Sequence, residues 1–396
     1  MENMASHLCV IVHGLWGNPD HMNAIVKALR SAHPEERLHI LVTKRNSGNL
    51  TYDGIQLGGE RVCIEIEEEL DGIRSRGGNV TKLSIVGYSL GGLLARYAVG
   101  LLESRGLLDE LEPMTFTTFA TPHLGVRSPS HGWHYHLWNV LGARLLSLSG
   151  QQVFTIDNFH GTGRPLLSIL ADPDSVFIAG LRKFKRRILY ANITNDRSAA
   201  YYTTCIAKTD PYVDTTTIRA NYVPGYEDVI LDPGDPFSSI LAKPEPTSTT
   251  ITSLKASAAR YLQNIPFIIF VLFLLPIGIV YLLCNATIQT ICGIRRIRQH
   301  NQQYLDRFPG PIWAKEIRGS LRLEGEAEVV DEPTLALTPY QFAMISSLDQ
   351  VGWRKYPVWI HNDRHSHAAI IARRDTPRFA EGLVVLRHWI DEEFLV

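Results

Sequence analysis

The residues best placed to do chemistry lie in the run Leu83-Ser-Ile-Val-Gly87-Tyr88-Ser89-Leu90-Gly91-Gly92, an apolar strand pattern that passes through Gly-x-Ser-x-Gly into a helical pattern. A chain that reverses from strand to helix within one residue strains that residue's backbone, and its neighbours must be small for the hydroxyl to stand clear. Gly87 and Gly91 meet that need as the elbow, and Ser89 is the expected nucleophile. Attack on an ester carbonyl also needs donors aimed at the oxygen that becomes charged. His13-Gly-Leu-Trp-Gly17 follows the first apolar run and can supply backbone amides. The expected oxyanion hole is the Leu15 amide with that of Leu90, the residue after the nucleophile. His13, at a strand end, is expected to be structural.

A serine hydroxyl needs a base, and the base needs an acid that holds the correct tautomer. In this arrangement the partners follow in the order serine, acid, histidine. Asp196, just past the strand-like run Arg187 to Ile193, is the expected acid, with Asp210 and Asp214 as rivals in the next loop. Three histidines compete for the base. His361 is still attached to the strand-like Tyr356 to Ile360, so His367 is preferred and His365 stands second.

The elements that must position these groups alternate. Leu8 to Val12, Leu38 to Thr43, Leu83 to Val86, Met114 to Phe119 and Arg187 to Ile193 read as strands. Asp20 to Ala32, Gly59 to Arg76 and Gly91 to Glu103 read as helices, and Ala380 to Phe394 as a closing amphipathic helix. Strands apolar throughout, separated by helix-length segments, predict an α/β domain whose mainly parallel sheet is covered on both faces. Glu65, Glu67, Glu68 and Glu69 are expected on a solvated helix face.

The 396 residues exceed one ordinary core, and 39 basic against 40 acidic residues give no electrostatic reason to bind nucleic acid. Five scattered cysteines form no paired motif, which fits a reducing compartment. His131, His134 and His136 lack a carboxylate or cysteine to complete a ligand set, so neither a metal nor another cofactor is expected. Trp133, Tyr135 and Trp138 among them suit a lid or a lipid-contact surface.

Ile265 to Cys284 is a run of uncharged residues about long enough to span a bilayer. A single crossing would put Ser89 and Asp196 on one side and His367 on the other, so the three could not meet. Pro276 and Gly278 inside the stretch suit a hairpin or re-entrant segment, and Lys255 and Arg260 before it with Arg295, Arg296 and Arg298 after it agree with both ends facing the cytosol. A buried helix in the protein's own cap is the other reading. The expected organisation is 1–232 as the first part of the core, 233–305 as linker and hydrophobic insertion, and 306–396 as the second part of the core, carrying the histidine.

Together HGLWGN (His13 to Asn18), DGIQLGGERV (Asp53 to Val62), GYSLGGLLARYA (Gly87 to Ala98), FATPHLGV (Phe119 to Val126), the pair Asn195-Asp196 and HSHAAII (His365 to Ile371) resemble a family of serine esterases that includes fungal lipid-droplet phospholipases and related lipases. The resemblance implies an α/β-hydrolase fold with Ser89, Asp196 and His367 as nucleophile, acid and base. A lipid ester substrate is expected from the apolar anchor as much as from the site, and the basic flanks of the anchor suit a catalytic domain facing the cytosol at a lipid droplet or endoplasmic reticulum membrane. The alternative is a hydrolase fold kept as a catalytically silent membrane scaffold.

Overall fold

A computed structural model describes residues 5–128, 139, 142–143, 146–239, 275–307, 335 and 337–396. The histidine and tryptophan cluster of 131–138 and the 265–274 part of the apolar stretch lie outside the described residues.

Strands β1 (His7–Val12), β2 (His39–Val42), β3 (Lys82–Tyr88), β4 (Glu112–Phe119) and β5 (Arg186–Asn192) join the late strand β8 (Trp353–Val358) in one sheet of order β2-β1-β3-β4-β5-β8. Every pairing in it is parallel. β6 (Ile218–Ala220) and β7 (Phe237–Ser239) form a separate antiparallel pair. β1 shows why the strands read as unbroken apolar runs. Leu8, Val10 and Val12 enter one buried cluster while Cys9 and Ile11 enter the other, so both faces are covered.

Helices α1 (Asn23–Ala32), α2 (Ile55–Ser75), α3 (Leu90–Ser104), α4 (Ser147–Val153) and α5 (Val176–Lys183) precede the long α6 (Leu275–Arg307). α7 (Pro339–Asp349) and α8 (Ala380–His388) follow. α2 begins four residues before its expected start, because Gly58 and Gly59 are contact points and not breaks. Cβ atoms there would lie 2.6 Å from a Leu94 methyl and 2.7 Å from the Tyr97 Cβ, so their absence lets α2 lie close on α3. α8 gives way after His388 to a π-helical turn, Trp389–Glu393, in place of one helix running to Phe394.

Glu65 corrects the expectation of a wholly solvated acidic face. It is buried, and its carboxylate accepts the Lys44 and Arg45 backbone N–H groups at 2.9 Å each. Burial raises its pKa, partly offset by those bonds.

The described part of α6, Leu275 to Arg307, is one unbroken helix that contains both Pro276 and Gly278. Its inner face docks on the core. Ala286, Gln289 and Gly293 are buried, and the Thr290 and Ser147 hydroxyls lie 2.8 Å apart. The Arg296 guanidinium grips the Asp53 carboxylate through Nε at 3.0 and 2.8 Å. Its outer face is a solvent-exposed apolar row of Ile277, Tyr281, Cys284, Ile288 and Ile291 at helical spacing. Among the described residues no helix is long and apolar enough to cross a membrane.

One buried acid gives a pH prediction. Asp157 accepts the Leu166 N–H through Oδ2 at 2.8 Å, while its buried Oδ1 has no partner among the described residues. Burial lifts its pKa to about 6 despite that bond. As pH rises through the window from its ordinary value to about 6, the unfolded chain releases a proton that the folded one keeps, so stability falls. Asp157→Asn should remove this loss and raise stability at pH 7 by about 2 kcal/mol, measured by denaturant unfolding at pH 4 and 7. An equal effect at both pH values would refute it.

Candidate active site

The site lies beyond the carboxyl ends of β1, β3, β5 and β8, where parallel sheets place their ligand crevices. Ser89 occupies the β3–α3 turn at φ 54°, ψ −128°, a conformation L residues rarely adopt. The turn closes because its neighbours lack side chains. A Cβ on Gly87 would lie 2.3 Å from the Gly92 Cα, and one on Gly91 would lie 2.2 and 2.5 Å from the Val12 and His13 carbonyl oxygens. Gly91→Ala is therefore expected to cost about 2–3 kcal/mol of stability and, by shifting the loop over the serine, about 10²-fold in ester turnover. Unfolding curves and kcat check it, and wild-type values for both would contradict it.

His367 brings the distant segments together. With its proton on Nδ1, it donates to Asp196 Oδ2 at 2.8 Å, and its Nε2 accepts from Ser89 Oγ at 2.8 Å. The backbone that carries its ring is tied down at two points. Tyr88 donates its hydroxyl to the His367 carbonyl at 2.9 Å, and Ser366 donates its hydroxyl to the Thr194 carbonyl at 2.8 Å. The Ile193 N–H donates to the Val358 carbonyl at 2.9 Å, which ties the acid's strand to the histidine's.

Asp196 follows Asn195, whose φ of 60° asparagine tolerates, and this turn aims the carboxylate inward. It accepts the Asn192 amide at 2.9 Å and the Ser198 and Ala199 N–H groups at 2.9 and 2.8 Å. Burial alone would raise its pKa. The charge and hydrogen bond of His367, with the Ala199 and Asn192 bonds, outweigh burial and leave it below the ordinary value. The group is held as a carboxylate, the form that orients an imidazole and stabilises its cation.

The rivals are engaged by other groups, although His365 lines the same cavity. His365 is 74 % exposed and pairs with Asp363 at 3.2 Å, and His361 contacts the Asp228 carbonyl at 3.0 Å. Asp210 and Asp214 receive the Tyr212 and Thr216 N–H groups, each two residues on.

The loop after β1 passes directly over the serine, since a Cβ on Gly14 would lie 2.8 Å from the Ser89 Cβ. Leu15 and Leu90 both line the cavity with Ser89. The Gly17 and Trp16 N–H groups are occupied by the Gly14 carbonyl at 3.0 Å and the Thr51 hydroxyl at 3.1 Å. His13 is buried behind the loop, and burial lowers its pKa, so it stays neutral. The supports of this loop are not evident in the sequence: besides Thr51, Tyr52 accepts the Trp16 indole N–H at 2.7 Å.

The cavity has a volume of about 660 Å³. Part of its wall is apolar, with Val126, Leu146, Val153, Phe154 and Leu282, the last contributed by α6. Among the described residues no group of three or more histidines, cysteines and acids is arranged to hold a metal.

A six-stranded parallel sheet, helices on both faces and a strained serine between strand and helix define an α/β-hydrolase. Residues 2–209 match the family described as "Putative serine esterase (DUF676)", and the chain belongs to that family. It is similar to "Putative lipase ROG1" of Saccharomyces cerevisiae, at 31 % identity over 206 residues, covering 50 % of this chain and 28 % of that protein. It is also similar to "Putative lipase C4A8.10" of Schizosaccharomyces pombe, at 28 % over 197 residues, covering 48 % of this chain and 25 % of that protein. The match thus spans little more than a quarter of these relatives' length. Among solved structures, phospholipase PlaB from Legionella pneumophila matches 50 % of this chain and 40 % of its own, at 14 % identity and TM-score 0.33. Carboxyl esterase 2 from Tuber melanosporum matches 48 % and 58 %, at 13 % identity and TM-score 0.30. Neither score adds to what the sheet topology already shows.

Proposed function

We propose that the protein hydrolyses acyl esters of lipids at a membrane or lipid-droplet surface, with Ser89 as nucleophile, His367 as base and then acid, and Asp196 as the group that orients His367. The observation that carries this reading is the continuous chain Asp196 to His367 to Ser89, 2.8 Å at each link, opening on a partly apolar cavity.

In this reading Ser89 Oγ attacks the ester carbonyl carbon as its proton passes to His367 Nε2. The oxygen that becomes negative is held by the Leu15 and Leu90 amides. The intermediate collapses, the leaving alcohol takes the proton from Nε2, and an acyl group remains on Ser89. Water then attacks the acyl-enzyme, giving a proton to Nε2; as this second intermediate collapses the bond to Ser89 Oγ breaks, Nε2 returns the proton to Oγ, and the carboxylic acid is released.

The surface reading is supported by α6. Its exposed apolar row continues the uncharged run of 265–274, Leu282 reaches the cavity, and Arg295 and Arg298 are exposed beyond the row. A helix with an apolar row outward and basic residues beside it suits the interface of a cytosol-facing membrane or lipid droplet. The reading is tested by comparing the lipid products released by wild type and Ser89→Ala. Release of no lipid product by either would favour the silent scaffold, and equal release by both would rule out Ser89 as the nucleophile.

A further inference from the structure

The cavity that holds Ser89 is chemically divided. Besides these apolar residues, Arg197, Arg364, Arg373, Arg374 and Arg378 all line the same space. Each is close in sequence to the proposed machinery. Arg197 follows Asp196 directly, Arg364 lies three residues before His367, and the other three lie on the segment just after it. All are exposed except the half-buried Arg373.

Among the described residues none of these five guanidinium groups forms an ion pair. The carboxylate that shares the cavity, Asp363, is engaged by the His365 N–H at 2.7 Å and its ring at 3.2 Å, and the Arg378 charge is a further, weaker attraction on it. Asp196 is buried and bonded to His367. Asp375 is next to Arg374 in sequence, and Glu381, three residues after Arg378, accepts the His361 and Asn362 N–H groups at 3.0 Å each. Five like charges gathered at one mouth repel one another, and a multiply charged anion offsets that cost. Guanidinium forks match the tetrahedral oxygens of phosphate in geometry as well as charge.

We propose that this rim is a subsite for a phosphate carried on the alcohol side of the ester, so that phosphate-bearing acyl esters are preferred over neutral ones. The proposal rests on Ser89 being the nucleophile of a lipid esterase. The acyl chain lies against Val153, Phe154 and Leu282, and the phosphate is held by the arginines. The rim thereby orients the ester across the serine and leaves the chemical steps unchanged.

The test uses the full chain with dihexanoyl phosphatidic acid and dihexanoyl glycerol, both as monomers in solution, so that attraction to a charged bilayer plays no part. Active enzyme is counted by fluorophosphonate labelling. We expect kcat/KM to favour the phosphate-bearing ester by about ten- to a hundredfold, the scale of one charge-assisted hydrogen bond. In Arg373→Gln/Arg374→Gln, and separately in Arg364→Gln, that ratio should fall toward one, mainly through KM. Equal wild-type rates on the two esters, or a ratio unchanged in both variants, would overturn the subsite alone. Turnover of neither ester would overturn the esterase reading with it. Inorganic phosphate should not accelerate cleavage of the neutral ester, and acceleration would assign the rim to a free anion against the proposal.

Discussion

Ser89→Ala should lower lipid-ester turnover by about 10⁴–10⁶-fold, the loss that follows when a nucleophile that acts as a unit with its base is removed. The remaining groups can still bind an ester and polarise its carbonyl, but no acyl-enzyme can form. Fold stability should change by less than about 1 kcal/mol, because the substitution removes one hydroxyl from a half-buried position and leaves the elbow glycines intact. Turnover by purified variant and wild type, matched by unfolding midpoint, separates lost chemistry from lost structure. A variant that keeps more than a tenth of wild-type turnover would mean that Ser89 is not the nucleophile.

Asp53→Ala should have the largest effect on stability, a loss of about 3–5 kcal/mol. The Asp53 side chain is fully buried and receives Arg61 at 2.8 Å as well as Arg296 on α6. Removing the carboxylate leaves two guanidinium groups facing a site they cannot leave cheaply. The same residue joins α6 to the loop after β1. Asp53 closes the turn Gly48–Tyr52, and that turn supplies the Thr51 and Tyr52 contacts to Trp16. The variant should therefore unfold at lower denaturant and expose α6 to protease before the core unfolds. Stability within 1 kcal/mol of wild type would show that the ion pair is not what holds α6 down.

How much could be read in advance follows from which signals are local. Apolar runs and helical spacing mark the strands and helices within a few residues, since each element's pattern lies within its own span. The elbow is legible for the same reason: its strain is met by Gly87 and Gly91, two residues either side of Ser89. The asparagine before Asp196 is another local sign, explained by its positive φ. The failures are of two kinds. Gly58 and Gly59 look like helix breaks but are close-packing points against α3, which only the tertiary contact reveals. Glu65 looks solvated but serves the Lys44 and Arg45 amides across the fold.

Pairings between remote segments leave no periodic trace. Arg296 meets Asp53 across 243 residues, and Tyr88 meets the His367 carbonyl across 279. The arginine rim is similar, being split among three stretches that are basic only in part. The apolar segment is partly legible: its length points to lipid, but the described portion, from Leu275, belongs to a helix that docks one face on the core and turns the other to solvent.

The account depends most on a covalent bond forming at one oxygen atom. Incubating the full chain with a lipid-like fluorophosphonate and mapping the adduct by mass spectrometry should place one label per chain on Ser89, with loss of lipid-ester hydrolysis in proportion to labelling. Full turnover by completely labelled protein, or a label confined to another residue, would contradict it.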